Sequence, residues 1–206
     1  MDFVTSMFVK GGPVMWPLLL CSIVSLAIIL ERLIFWWRID WWRDDDAIEE
    51  VFSETEKGNP DGALSAGRRS KDHVVRVLAY GLTHRVHGLT EAIEVKATEE
   101  VDRMKAGMLI LDTIITMSPL LGILGTVTGI IGAFELLGTG DIQDPSAVSG
   151  GIAEALITTA AGLSIALPTL VFFNYFTGRV QREAGRLEKA ATRFEVTCRK
   201  GSSLTL

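Results

Sequence analysis

Four threonines and one glutamate could do chemistry where little else can. Thr126 and Thr128 lie in the run Ser118-Pro119-Leu120-Leu121-Gly122-Ile123-Leu124-Gly125-Thr126-Val127-Thr128-Gly129. Thr158 and Thr159 are adjacent in a second uncharged run, about one turn after Glu154. A hydroxyl donates one hydrogen bond and accepts others, so a column of hydroxyls can line a water path or hold a carboxylate. The same hydroxyl can instead bond back to its own helix, four residues earlier, and do no chemistry. Both readings stand for each threonine, and the glycine-rich surroundings favour the polar column. Glu154 is the only charged side chain from Pro145 to Gly178. An ionisable group in a membrane span is costly and usually faces an interior or a cavity. The other account places Glu154 near the outer interface, hydrated and only a few residues into its helix. Asp112 and Glu135 read as hydrated interface residues.

No soluble-enzyme constellation accompanies these residues. There is no phosphate loop with lysine, no Cys/His metal spacing and no nucleophile elbow, so neither an enzyme nor a cofactor nor a metal is expected. His84 and His87, at i,i+3, could share a metal ion, but a solvated face is the simpler account. Cys21 and Cys198 imply no disulfide framework and read as reduced thiols. A net charge of −5 gives no argument for nucleic acid.

The elements that must position the polar groups are membrane helices. Apolar residues make up 48% of the 206-residue chain and gather into three blocks. Val14 to Leu30, Thr113 to Phe134 and Ala155 to Gly178 carry no charge. About 20 helical residues cover a hydrocarbon core of about 30 Å. The second and third blocks reach that length alone. The first reaches it with Leu33 to Trp37, if Glu31 and Arg32 sit at the interface. The expected fold is all-α and polytopic, with three transmembrane helices, the second and third extended into the cytoplasm. The N-terminus lacks a cleavage pattern and reads as a retained first span.

Lysine and arginine mark the cytoplasmic side. Twelve lie from Arg32 to Lys105 and seven from Arg179 to Lys200. Lys10 alone precedes the first block, and the Gly138–Ser149 loop has none but carries Asp141 and Asp144. The expected layout is a periplasmic or interfacial N-terminus over 1–12, with Met1 to Val9 mildly amphipathic. The first span covers 13–37 and a cytoplasmic helical insertion covers 38–105. The second span covers 106–137, a periplasmic loop 138–149 and the third span 150–177. A cytoplasmic C-terminal helix and tail covers 178–206. Trp36, Trp37, Trp41 and Trp42 mark the inner end of the first span.

Within the insertion, Asp44 to Asp46 cap a helix that Gly58-Asn59-Pro60 ends, and a short helix follows Pro60. Val74, Val75, Leu78, Leu82 and Val86 mark another, which Gly88 breaks, with Thr90 as the next cap. Ile93, Ala97, Val101, Met104 and Met108 then recur at helical spacing. One helix is expected from about Thr90 to about Leu137, bent at Pro119. The third span continues into the basic tail, with Val180, Leu187, Ala191 and Phe194 on one face. Gly122, Gly125, Gly129 and Gly132 on the second span, and Gly162 on the third, supply surfaces for close helix packing in lipid.

Three stretches carry a family resemblance. They are Gly11-Gly12-Pro13-Val14-Met15-Trp16-Pro17 with Glu31-Arg32, Pro119 to Gly129, and Gly151 to Gly162 followed by Pro168 and Asn174-Tyr175-Phe176. Together they resemble the MotA/TolQ/ExbB proton-channel family, nearest its ExbB-type biopolymer transport branch. The resemblance implies an inner-membrane homo-oligomer, a pentamer, around two copies of an ExbD/TolR-like single-span partner. That partner carries the essential membrane aspartate. Proton flow would drive a relative motion that works on a TonB-like effector. It assigns the ion pathway to Thr126 and Thr159 and matches the family's third-span glutamate to Glu154. Thr158 doubles the threonine at that turn, and both remain candidates. TolQ-type and flagellar-type stators are branches of the same resemblance. A non-conducting membrane scaffold is another reading. A self-sufficient channel built on Gly125-Thr126-Val127-Thr128-Gly129 is less favoured, because Ile130 stands where a filter needs an aromatic. Membrane lipids are expected neighbours.

Overall fold

A computed structural model describes residue 8, residues 11–138 and residues 145–203. The expected surface helix over Met1 to Val9, apart from Phe8, and Asp141 and Asp144 lie outside these residues. The described residues form helices and no strand. In chain order these are α1 (Met15–Trp41), α2 (Asp45–Glu56), α3 (Pro60–Arg69), α4 (His73–Thr83), α5 (Arg85–Lys105), α6 (Met108–Gly138) and α7 (Pro145–Ser203). Three helical stretches, carried by α1, α6 and α7, are long and apolar enough to cross a membrane. The chain is an all-α polytopic membrane protein.

Local chemistry sets the helix ends. The Asp44 carboxylate accepts from the Ala47 N–H at 3.0 Å and starts α2. Asn59 accepts from Gly62 N–H at 3.1 Å, with Pro60 in the first turn of α3. Asp72 accepts from Val74 N–H at 2.7 Å and starts α4. The continuation of the third span beyond its apolar stretch is one helix, α7, of 59 residues. At 1.5 Å per residue that is about 90 Å, roughly three times a hydrocarbon core.

The single helix expected from Thr90 to Leu137 is two helices. α5 ends at Lys105, Ala106 adopts ψ 135°, and Gly107 has φ 75° before α6 begins at Met108. The apolar periodicity runs unbroken across this point, so hydropathy alone conceals it. Gly107 does two things there. It supplies a left-handed backbone, and a β-carbon on it would lie 2.9 Å from Ile28 Cγ2. Gly88 leaves helical geometry with φ 129°, as the sequence suggested.

The chain divides into two compact units, with boundaries at 31/32, 106/107 and 175/176. The apolar unit holds the first part of α1, all of α6 and the first part of α7. Large apolar side chains such as Leu20, Leu109, Leu120 and Leu167 point outward from it. Ser25, Ser118, Thr158 and Thr169 are buried within it. Leu18, Leu111 and Ile114 are buried there too, so its interior mixes small, weakly polar and bulky apolar residues while its outer face is apolar, as helices packed in lipid require.

The second unit holds α2 to α5 with the end of α1 and the remainder of α7. It has a conventional core, with Val75, Leu78, Phe176 and Phe194 fully buried. Phe52 of α2 meets Phe194 of α7 edge to face, with ring centroids 5.7 Å apart.

Candidate functional site

Glycines bring α6 and α7 together. A β-carbon on Gly122 would lie 3.0 Å from the Thr158 carbonyl oxygen and from Thr159 Cα. One on Gly125 would lie 2.5 Å from Thr158 Oγ1, and one on Gly129 3.0 Å from the Gly151 carbonyl. Gly162 rests against the Ser118 carbonyl. The helices run antiparallel in this contact, with backbone nearly on backbone. Gly132 differs: nothing lies within 4 Å of where its β-carbon would be. It faces away from the α6–α7 contact.

This close approach brings two threonines into contact. Thr126 Oγ1 of α6 and Thr159 Oγ1 of α7 form a short hydroxyl–hydroxyl hydrogen bond. Thr126 Oγ1 is also 3.1 Å from the carbonyls of Gly122 and Ala155, and Thr159 Oγ1 is 3.2 Å from the Gly122 carbonyl. Each hydroxyl has one proton. Thr126 can donate to Thr159 while Thr159 donates to Gly122. Alternatively Thr159 donates to Thr126 while Thr126 donates to a carbonyl. Both arrangements fit the same heavy-atom positions, so the pair can reverse its direction by rotating two hydroxyls. In either, lone pairs remain for a water or a protonated carboxyl group. Both side chains are half-buried.

Thr158 and Thr128 have other surroundings. Thr158 is fully buried, fills the notch left by Gly125, and donates to the Ala155 carbonyl at 2.9 Å. Thr128 is exposed and bonds back to Leu124 O at 3.0 Å and Gly125 O at 3.1 Å. Glu154 is not brought to the threonine pair. Its carboxylate lies against Gly12, where an added β-carbon would collide with Oε1. Residues five apart on a helix point about 140° from each other, so Glu154 and Thr159 occupy different faces of α7. Asp112 and Glu135 are exposed.

Ser118 was overlooked as a candidate. It is fully buried beside Gly162, and its hydroxyl has no hydrogen-bond partner among the described residues. The sequence shows only a serine before Pro119, which fits many environments.

The second unit holds a charge ladder that the sequence reading also missed. Arg179, Arg186 and Arg193 recur every seven residues on α7. They reach Asp40 at 2.5 Å, Asp45 at 2.5 Å and Glu49 at 2.7 Å. Arg186 also lies 3.6 Å from the fully buried carboxylate of Asp72 and 3.6 Å from Glu183. Buried His73 bonds to Glu183 at 3.2 Å. That bond holds the Glu183 carboxyl below its ordinary range, against the opposing effect of burial. The heptad spacing was visible, but its partners are about 140 residues away in the chain.

Residues 69–189 match the MotA/TolQ/ExbB proton channel family. The chain belongs to that family. An ExbB-like 3 biopolymer transport protein of Synechocystis is 33% identical over 196 residues, covering 92% of each chain. Biopolymer transport protein exbB1 of Vibrio cholerae is 31% identical over 185 residues, 86% of this chain and 80% of its own. The Tol-Pal system protein TolQ of Pseudomonas aeruginosa is 36% identical over 110 residues, 53% of this chain and 48% of its own. Membership in a MotA/TolQ/ExbB proton channel family makes a hydroxyl pair with spare acceptor capacity, held in an apolar unit, the leading candidate site.

Proposed function

We propose that this chain is the ring-forming subunit of an ExbB/TolQ-type proton-driven motor in the cytoplasmic membrane. Its copies surround an ExbD/TolR-like single-span partner that carries a membrane aspartate. The paired hydroxyls of Thr126 and Thr159 carry this proposal. They supply hydrogen-bond acceptors to the partner's protonated carboxyl, and their reversible direction suits a proton that arrives on one side and leaves on the other. Thr158, enclosed and bonded to Ala155, serves the helix contact, and Thr159 takes the path-facing role. Glu154 acts away from this pair, near the start of α1. The 19-to-1 excess of Lys and Arg on the segments after the first and third spans supports an outside N-terminus and an inside C-terminus. The work done on a TonB-like effector is the expected output.

The test is Thr126→Ala with Thr159→Ala, co-expressed with the aspartate-bearing partner. The complex should assemble at normal yield while proton flux into vesicles falls to the level of the chain without its partner. Thr126→Ser with Thr159→Ser should restore flux, because serine keeps the hydroxyls. One observation favours a scaffold reading: both hydroxyls also lie within bonding distance of backbone carbonyls. Normal flux in the double alanine variant would establish that reading instead.

A further inference from the structure

We propose that the unit built from residues 32–106 and 176–206 holds a phosphodiester anion, supplied by the head group of an anionic phospholipid. The site is a recess of about 190 Å³. One wall is apolar, from Phe35, Ile39 and Trp42 at the end of α1 with Met104 of α5. The other carries the cations Arg38, Lys71, Arg76 and Arg103.

The charges do not cancel. Both acidic groups in the recess are engaged. Asp72 accepts from the Asp44 and Val74 N–H groups at 3.0 and 2.7 Å. Glu100 pairs with Arg76 at 3.0 Å, Arg103 at 3.4 Å and Lys96 at 3.8 Å. His73 is turned to Glu183. Arg38 and Lys71 are left over. Neither has an acidic partner within 4 Å among the described residues. Both instead lie on the Trp42 ring, 4.5 and 5.5 Å from its centroid. The indole holds two cations at the mouth of one recess without neutralising either.

An anion that neutralises them has two sources, free phosphate or a lipid head group. The apolar wall decides between them. Arg38 directly follows Trp37, the last residue of the expected first span, and that is head-group depth. Phe35 and Ile39 continue the apolar surface of α1 up to the cations. A free phosphate makes no use of that wall. A phospholipid uses both walls at once, and the indole of Trp42 belongs at the boundary between them.

The experiment uses the full chain, delipidated in detergent and incubated with equal amounts of phosphatidylglycerol and phosphatidylcholine. Retained lipids are then counted by mass spectrometry. Phosphatidylglycerol should be retained preferentially. Arg38→Gln with Lys71→Gln should cut that preference by at least about five-fold, with helix content unchanged by circular dichroism. Arg68→Gln with Lys105→Gln removes the same charge outside the recess and should leave the preference intact. Equal retention of the two lipids by the unaltered chain would overturn the proposal, as would an equal loss in the control variant. Displacement of phosphatidylglycerol by inorganic phosphate as readily as by a short-chain phosphatidylglycerol would overturn the lipid assignment.

Discussion

Gly162 on α7 presents its bare α-carbon to the Ser118 carbonyl of α6, closer than a residue with a β-carbon could approach. The obstacle is backbone, which cannot rotate aside as a side chain can. Gly162→Ala should therefore destabilise the α6–α7 contact by about 1–3 kcal/mol, read as a lower unfolding temperature in detergent. Gly132→Ala is the control. With nothing within 4 Å, it should be neutral or gain up to about 1 kcal/mol from helix propensity. A loss at Gly132 would show that a second chain covers that face.

Gly107 should tolerate no substitution easily. Its φ of 75° costs an L-residue about 1–2 kcal/mol, and the Ile28 contact adds steric strain. Gly107→Ala should lower stability by about 1–3 kcal/mol in chemical denaturation. Adding Ile28→Ala to it should recover the steric part and leave the backbone part.

The three rungs of the arginine ladder should differ in worth. Arg193 and Glu49 are both more than half exposed, so Arg193→Gln should cost less than about 1 kcal/mol. Arg186 is mostly covered and faces the fully buried Asp72. Arg186→Gln should cost about 2 kcal/mol or more, because a buried charge loses its cation. Thermal unfolding of the full-length variants side by side measures the difference.

The His73–Glu183 bond makes a pH prediction. The Glu183 carboxyl is held below its ordinary 4.5 in the folded chain. A group with a lowered folded value adds stability above its unfolded value and loses it as pH falls through the folded one. Glu183→Gln should therefore be less stable than the unaltered chain at neutral pH. The gap should narrow steadily below about pH 4.5. A gap that stays constant down to pH 3 would mean that the carboxylate charge is not what Glu183 contributes.

Much of the fold was legible in the sequence because its signals are local. The uncharged blocks mark the spans, and Asp44 and Asn59 cap α2 and α3 through neighbours three residues away. Thr126 and Thr159 could be named from the resemblance, but their contact could not, since it depends on how closely Gly122 lets the helices approach. Glu154 stands out in the sequence as the only charge from Pro145 to Gly178, and the resemblance matches it to a third-span glutamate, which groups it with the threonines. Helical rotation puts it on another face, beside Gly12, a residue far away in sequence. The stop at Ala106-Gly107 was hidden for the opposite reason. The apolar pattern on either side stays in phase, and only the backbone dihedrals reveal the turn.

The chain passes between its two units three times, and the passages differ in backbone structure. Near residues 31 and 175 it does so inside unbroken helices, α1 and α7. There the backbone N–H and C=O groups on either side of the boundary belong to one hydrogen-bonded helix. Near residue 106 it passes through two non-helical residues, one of them glycine. Two of the passages are thus secured by helical hydrogen bonds on both sides, and the third by the dihedral angles that one glycine allows.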